Sequence, residues 1–234
     1  MDIAEGLALA RDRVYAAAAR SGRRGEDVLI IGASKMNDAG RVREAIAAGL
    51  RCCGENRVQE MLEKSAQGAY DGADLHFIGR LQKNKVKNVV GLCSLVHGVD
   101  RLELMDCVSR IASGRGLVQD ILLEVNIAGE ASKTGFSPQA LPAALEYVST
   151  LPGLRLRGLM AIPPECRLAE DNIPYFRAME QLFVDNGSKK YDNVRMDFLS
   201  MGMSGDYEAA VSCGANMVRL GTAIFGPRAY PAKS

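Results

Sequence analysis

Val28-Leu29-Ile30-Ile31-Gly32-Ala33-Ser34-Lys35 climbs through apolar residues into one lysine and breaks at Met36-Asn37-Asp38. The run is too short for a helix and suits a strand buried on both faces, as in a parallel sheet. Asn37 or Asp38 can cap the helix that follows, which places Lys35 near the carboxyl end of the strand. Parallel α/β folds bind their ligands at that end. A lysine whose stem lies in apolar surroundings loses its proton more readily than one in water. Neutral amine is the form that condenses with a carbonyl cofactor. The alternative is a lysine that snorkels from the strand end to solvent. The rest of the chain has to decide between them.

The alternation begun there continues. A helix carrying Ile3, Leu7, Ala10, Val14, Ala17 and Ala18 comes first and ends near Ser21-Gly22. After the lysine strand, a short amphipathic helix with Val42, Ala45 and Ile46 closes at Gly49. Further strands are expected at Leu50–Gly54, Asp74–Gly79, Leu95–Val99, Ile121–Asn126, Leu154–Ile162, Met196–Met201 and Met217–Leu220. Between them lie helices with Val58, Met61, Leu62 and Ala66; a short basic one from Gln82 to Val90; and one burying Leu104, Val108 and Ile111. Another starts at the Ser137-Pro138 cap, one starts at Pro174, and one spans Tyr207–Cys213. Eight strands alternating with helices predict a (β/α)8 TIM barrel with an extra N-terminal helix, a single domain over 1–234. An open doubly wound sheet is the competing architecture.

Composition narrows the function. The chain has 234 residues, 47% of them hydrophobic, enough for one large core. The formal net charge of +1 offers no polyanion-binding surface, so nucleic acid is not an expected partner. No apolar stretch is long enough to span a bilayer, and Met1-Asp2-Ile3-Ala4-Glu5 is unlike a signal peptide. The six cysteines form no C-x-x-C pair and read as reduced thiols of a cytoplasmic protein. With only His76 and His97 beside them, the ligand set argues against a zinc site.

A barrel gathers the ends of its strands around one mouth. They contribute Lys35, then Glu55 and Asn56, His76 and Ile78, Glu124 and Asn126, and Met160. The seventh strand adds Ser200, Met201 and Ser204, and the eighth adds Arg219, Gly221 and Thr222. Ser200-Met201-Gly202-Met203-Ser204 and Gly221–Gly226 combine small residues, hydroxyls and exposed backbone N–H groups, the chemistry of a phosphate cradle. Taken singly, such glycines need only make tight turns. Arg219 either pairs with Glu124 or Asp197 or reaches a cofactor ring nitrogen. A strand-end lysine, a buried arginine and a phosphate cradle together describe a pyridoxal 5′-phosphate (PLP) site. Lys35 would hold the aldehyde carbon as an aldimine. Ser200, Ser204, Gly221 and Thr222 would hold the phosphate. Asn56 either bonds the ring hydroxyl or caps the next helix. His76 is either a core histidine or part of the site.

At these residues the sequence resembles the pyridoxal phosphate homeostasis protein family (YggS/PROSC type), relatives of the alanine racemase N-terminal domain. The matching stretches include Ala33-Ser34-Lys35, Gly54-Glu55-Asn56-Arg57-Val58-Gln59-Glu60, His76–Lys85, Lys133-Thr134-Gly135-Phe136, Gly158-Leu159-Met160, Leu199–Asp206 and Val218–Gly226. The resemblance implies a monomeric or weakly associating barrel with Lys35 as its Schiff-base lysine and a role in binding and delivering the cofactor. Met36-Asn37-Asp38 departs from the family, which usually has threonine and often proline after the lysine.

The residues also bear on what such a site does. A permanently charged guanidinium opposes protonation of the ring nitrogen, which limits the cofactor as an electron sink. A racemase needs a second acid or base; in the racemases this fold resembles, a tyrosine from an added C-terminal domain serves, and Tyr207 and Tyr230 are the conceivable substitutes here. The expectation is therefore a PLP-binding protein of vitamin B6 and amino-acid balance, without catalytic residues, whose partners are PLP and apo-enzymes that use it. A weakly active amino-acid racemase is the alternative. Arg80, Lys83, Lys85 and Lys87 are either a solvated face or a second, surface position for the phosphate.

Overall fold

The computed structural model describes residues 2–187 and 191–227. Eight parallel strands close into a barrel in sequence order. They are β1 (Leu29–Ala33), β2 (Cys52–Glu55), β3 (Asp74–Phe77), β4 (Leu95–Val99), β5 (Gln119–Glu124), β6 (Leu154–Met160), β7 (Val194–Met203) and β8 (Met217–Leu220). The helices are α1 (Ile3–Arg20), α2 (Ala39–Ala47), α3 (Val58–Ser65), α4 (Leu102–Gly114), α5 (Leu141–Ser149), α6 (Ile173–Gly187), α7 (Tyr207–Ser212) and α8 (Thr222–Phe225). The barrel, and not the open sheet, is the architecture.

Two expected helices differ. The basic stretch after β3 winds as a 3-10 helix over Lys83–Asn88. Ser137-Pro138 does not open α5. Ser137 makes a turn whose carbonyl and hydroxyl both accept from Ala140 N–H, and the helix starts at Leu141 with Pro142 in its first turn.

Two apolar layers hold the barrel. Ile31, Ala33, Cys52, Ile78, Leu95, Leu122, Met160 and Met217 fill its interior. The larger layer, including Val42, Met61, Val108, Leu145, Phe176 and Met201, packs the helices on the outside. Strand alternation decides which residue joins which layer. In β6 the alternation is broken. Leu156 and Leu159 both face outward, and the pairing of β6 with β7 shifts between Leu156 and Gly158. Gly158 absorbs the irregularity with a φ of +144°, so close to β7 that a Cβ would lie 1.9 Å from the Phe198 carbonyl oxygen. The shift turns Met160 into the barrel.

α8 is a single turn. α1, begun by a reciprocal Asp2–Glu5 capping box, packs against α2, α7 and α8 and covers that side of the barrel. Gly6 permits the approach, since a Cβ there would lie 2.7 Å from the Ile224 carbonyl oxygen.

Candidate functional site

Lys35 lies two residues beyond β1. Ser34 N–H extends the ladder to the Gly54 carbonyl (3.0 Å). The chain then reverses at Met36, whose φ of 62° is left-handed. Asn37 N–H returns to the Ser34 carbonyl (3.1 Å), and the Asp38 carboxylate caps α2 by accepting from Arg41 N–H (2.9 Å). Because β1 pairs with β8, with Gly32 beside Leu220, this turn stands next to the start of α8. Lys35, Ala33, Asn37, Gly221 and Thr222 line one cavity of about 220 Å³. The Arg41 guanidinium also lines it and donates to the Phe225 carbonyl, tying α2 to α8.

Ser204 joins the two loops expected to cradle an anion. Its Oγ accepts from Gly221 N–H (3.1 Å) and Ala223 N–H (3.2 Å), which leaves its O–H to donate. Thr222 adds a second hydroxyl at the first residue of α8.

Ser200 and Met201 are placed differently. Ser200 faces inward and is fully buried. Its Oγ lies 2.7 Å from Arg219 Nη1 and 3.0 Å from His97 Nδ1, and His97 Nε2 lies 3.0 Å from His76 Nδ1. A guanidinium can only donate, so Arg219 donates to Ser200 Oγ. The Ser200–His97 and His97–His76 hydrogen bonds extend the chain, each running in the direction set by the imidazole tautomer. Ser200 Oγ is thus engaged by both Arg219 and His97. Met201, next along the strand, points outward into the helix layer, so its side chain lies away from the mouth.

Burial holds both imidazoles neutral. It pushes His76 down to about 4 and His97 well below the ordinary range, with His76 and Arg219 adding to the effect on His97. The unfolded chain thus binds more protons than the fold below pH 6.5. Stability should be full above pH 6.5 and fall toward pH 4, by about 1.4 kcal/mol per pH unit for each histidine. Urea denaturation between pH 7.5 and 5 measures this, and His97→Gln should flatten the slope. An equally steep slope in that variant would place the pH dependence elsewhere.

Arg219 forms no ion pair with either expected carboxylate. Its second donor reaches the Ala161 carbonyl (3.0 Å). Asp197 instead bonds Arg157 (2.6 Å), and Thr134 Oγ1–H donates to Glu124 (2.9 Å). Burial pushes the Glu124 carboxyl up and the Arg219 guanidinium down to about 10, so the guanidinium stays charged at neutral pH.

Asn56 does not cap α3. Its Oδ1 is buried and has no hydrogen-bond partner among the described residues. With Arg57, Arg80, Lys83, Lys85 and Arg101 it lines a separate cleft of about 760 Å³. Glu55 is turned away from the mouth and bonds Lys64 (2.8 Å). Tyr207 is buried in the outer layer, and Tyr230 lies outside the described residues. His97, Glu60 and Lys64 were not among the expected site residues. For Lys64 the available signal was its place three residues after Met61, on the buried side of α3.

Comparison with known proteins agrees with this arrangement. The model of the alanine racemase N-terminal domain matches residues 21–229. The pyridoxal phosphate homeostasis protein of Aquifex aeolicus is 42% identical over 230 residues, covering 98% of this chain and 100% of the relative. That of Pseudomonas aeruginosa is 44% identical over 231 residues, covering 98% and 97%. PipY of Synechococcus elongatus, solved with PLP bound, superposes with a TM-score of 0.83 at 33% identity, covering 96% of this chain and 100% of PipY. The Aquifex and Pseudomonas relatives carry the name of a homeostasis protein and not of an enzyme. A full-length match joined to a closed eight-stranded barrel places the chain in the pyridoxal phosphate homeostasis protein family, built on the alanine racemase N-terminal fold.

Proposed function

We propose that this barrel binds PLP at its mouth, holds it on Lys35 and releases it to apo-enzymes that need it. The observation that carries the reading is the shared cavity of Lys35, Gly221 and Thr222, with the charged Arg219 guanidinium buried in the same barrel and no carboxylate among the described residues in ion-pair contact with it. A buried cation in that state favours a ligand that accepts hydrogen bonds. The donors fit the group. Ser204 and Thr222 offer hydroxyls to a phosphate, and Met160 adds apolar surface inside the barrel.

Lys35 would hold the cofactor, which when bound would supply an electrophilic aldehyde carbon to a neutral amine. The protein's part is to bind and orient. Lys35 presents the amine, Ser204 and Thr222 hold the anion, and Arg219 donates toward the ring nitrogen. Ser200, His97 and His76 act through Arg219 by fixing its donors. A fixed positive charge at the ring disfavours its protonation, which suits keeping the cofactor more than turning over amino acids. No helix among the described residues is long and apolar enough to cross a membrane, and all six cysteines are free, as in a reducing cytoplasm.

Titration of the protein with PLP tests the reading. An absorption band near about 420 nm should grow to one equivalent, since conjugation extends through the C=N bond. Lys35→Ala should abolish it, and Arg219→Ala should shift it. A band that survives in Lys35→Ala would overturn the assignment.

A further inference from the structure

We propose that Glu60 and Lys64, resting on Glu55, are positioning residues that fix the direction of the Lys35 side chain. The inference rests on the reading of Lys35 given above. The Lys64 ammonium is almost wholly buried, and its three donors reach Glu55 Oε1 (2.8 Å), Glu60 Oε1 (2.7 Å) and the Ser34 carbonyl (2.7 Å). An ammonium has three N–H bonds, so none is left over. Glu55 is further held by Ser34 Oγ–H (2.6 Å) and Tyr70 O–H (3.0 Å). Glu60 Oε1 also accepts from Met36 N–H.

The contacts fall on both sides of one residue. The Ser34 carbonyl lies in the peptide plane before Lys35, and Met36 N–H lies in the plane after it. A planar peptide leaves only φ and ψ free at the residue between two such units. Pinning both planes therefore fixes the Lys35 backbone and the direction in which its Cβ leaves the chain. Met36 needs this hold, because its left-handed φ is disfavoured for a side chain other than glycine or asparagine. Without Glu60 the turn is free to relax, and the amine leaves the wall it shares with Gly221 and Thr222. The same contacts also join α3 to β1, a purely structural service, so the test has to separate the two roles.

Two probes do so: PLP, and pyridoxine 5′-phosphate, which has the same ring and phosphate but an alcohol that cannot form the C=N bond. In Glu60→Ala, affinity for PLP should fall about tenfold and the band should appear more slowly, because a misplaced amine loses effective concentration. Affinity for pyridoxine 5′-phosphate should stay within about twofold of the parent, since the phosphate and ring contacts are untouched. Glu60→Gln keeps an acceptor for Met36 N–H and should recover most of the PLP affinity. The Glu60 side chain is one-fifth exposed, so both variants should fold, and circular dichroism checks this. A PLP to pyridoxine phosphate affinity ratio equal to the parent's, whether both affinities fall or neither does, overturns the positioning role and leaves the reading of Lys35 intact. A parent protein that forms no band overturns that reading, and this inference with it.

Discussion

Gly158→Ala is expected to leave little folded protein, with a loss of about 4–5 kcal/mol of stability. Two separate penalties add. The φ of +144° is a conformation that side chains rarely adopt. The new Cβ would also lie 1.9 Å from the Phe198 carbonyl oxygen, a backbone atom of a paired strand that cannot swing aside. The only relief is to straighten β6, and that reverses the facing of Met160. It also moves the Ala161 carbonyl that Arg219 holds. The damage thus reaches the mouth as well as the core. Soluble yield and denaturant midpoint measure it. Gly114→Ala, where a Cβ at the end of α4 meets nothing within 4 Å, is the control and should be neutral or slightly stabilising. A Gly158→Ala protein with the parent's midpoint would disprove the tight crossing of β6 and β7.

Lys64→Met should cost about 3–5 kcal/mol, because it leaves two carboxylates facing each other, one of them fully buried. For a chain of this length that lowers the thermal midpoint by about 6–20 °C. Adding Glu55→Gln should restore part of the loss, since a neutral amide is cheaper to bury than an unpaired charge. By contrast, Arg24→Ala breaks an ion pair exposed on both sides and should leave the midpoint unmoved. Differential scanning calorimetry distinguishes the two cases. A Lys64→Met midpoint within about 2 °C of the parent would mean that the network carries no net electrostatic weight.

The barrel was legible because β1 is a near-continuous apolar run and β5 carries Ile121-Leu122-Leu123 at its centre, the mark of strands covered on both faces. Lys35, Gly221 and Thr222 were legible for a related reason: each stands just past such a strand. Reading failed where tertiary contact overrides the local pattern. Ser200 and Met201 were both expected at the mouth, yet only Ser200 faces the barrel interior; β7 is irregular where it pairs with β6 and β8, and no spacing rule reveals a bulge. Lys64 looks like an ordinary helix-surface charge until Glu55, nine residues earlier, is placed beneath it. His97 sits within an apolar run, and only the fold brings Ser200 and His76 to its two nitrogens. Arg219 was correctly placed inside the barrel. Of the alternatives open for it, neither carboxylate pairs with it: Asp197 bonds Arg157 and Glu124 accepts from Thr134.

The position of α1 has a consequence for how the chain is made. Its apolar stripe, Leu7, Ala10, Val14, Ala17 and Ala18, finds α7 and α8 only after some two hundred further residues have left the ribosome. Until then only α2 is present to cover part of the stripe, and closing β1 onto β8 demands the longest loop of any strand pair in the barrel. Newly synthesised chains should therefore pass through an open, sticky stage in which the first helix is the segment most exposed to chaperones.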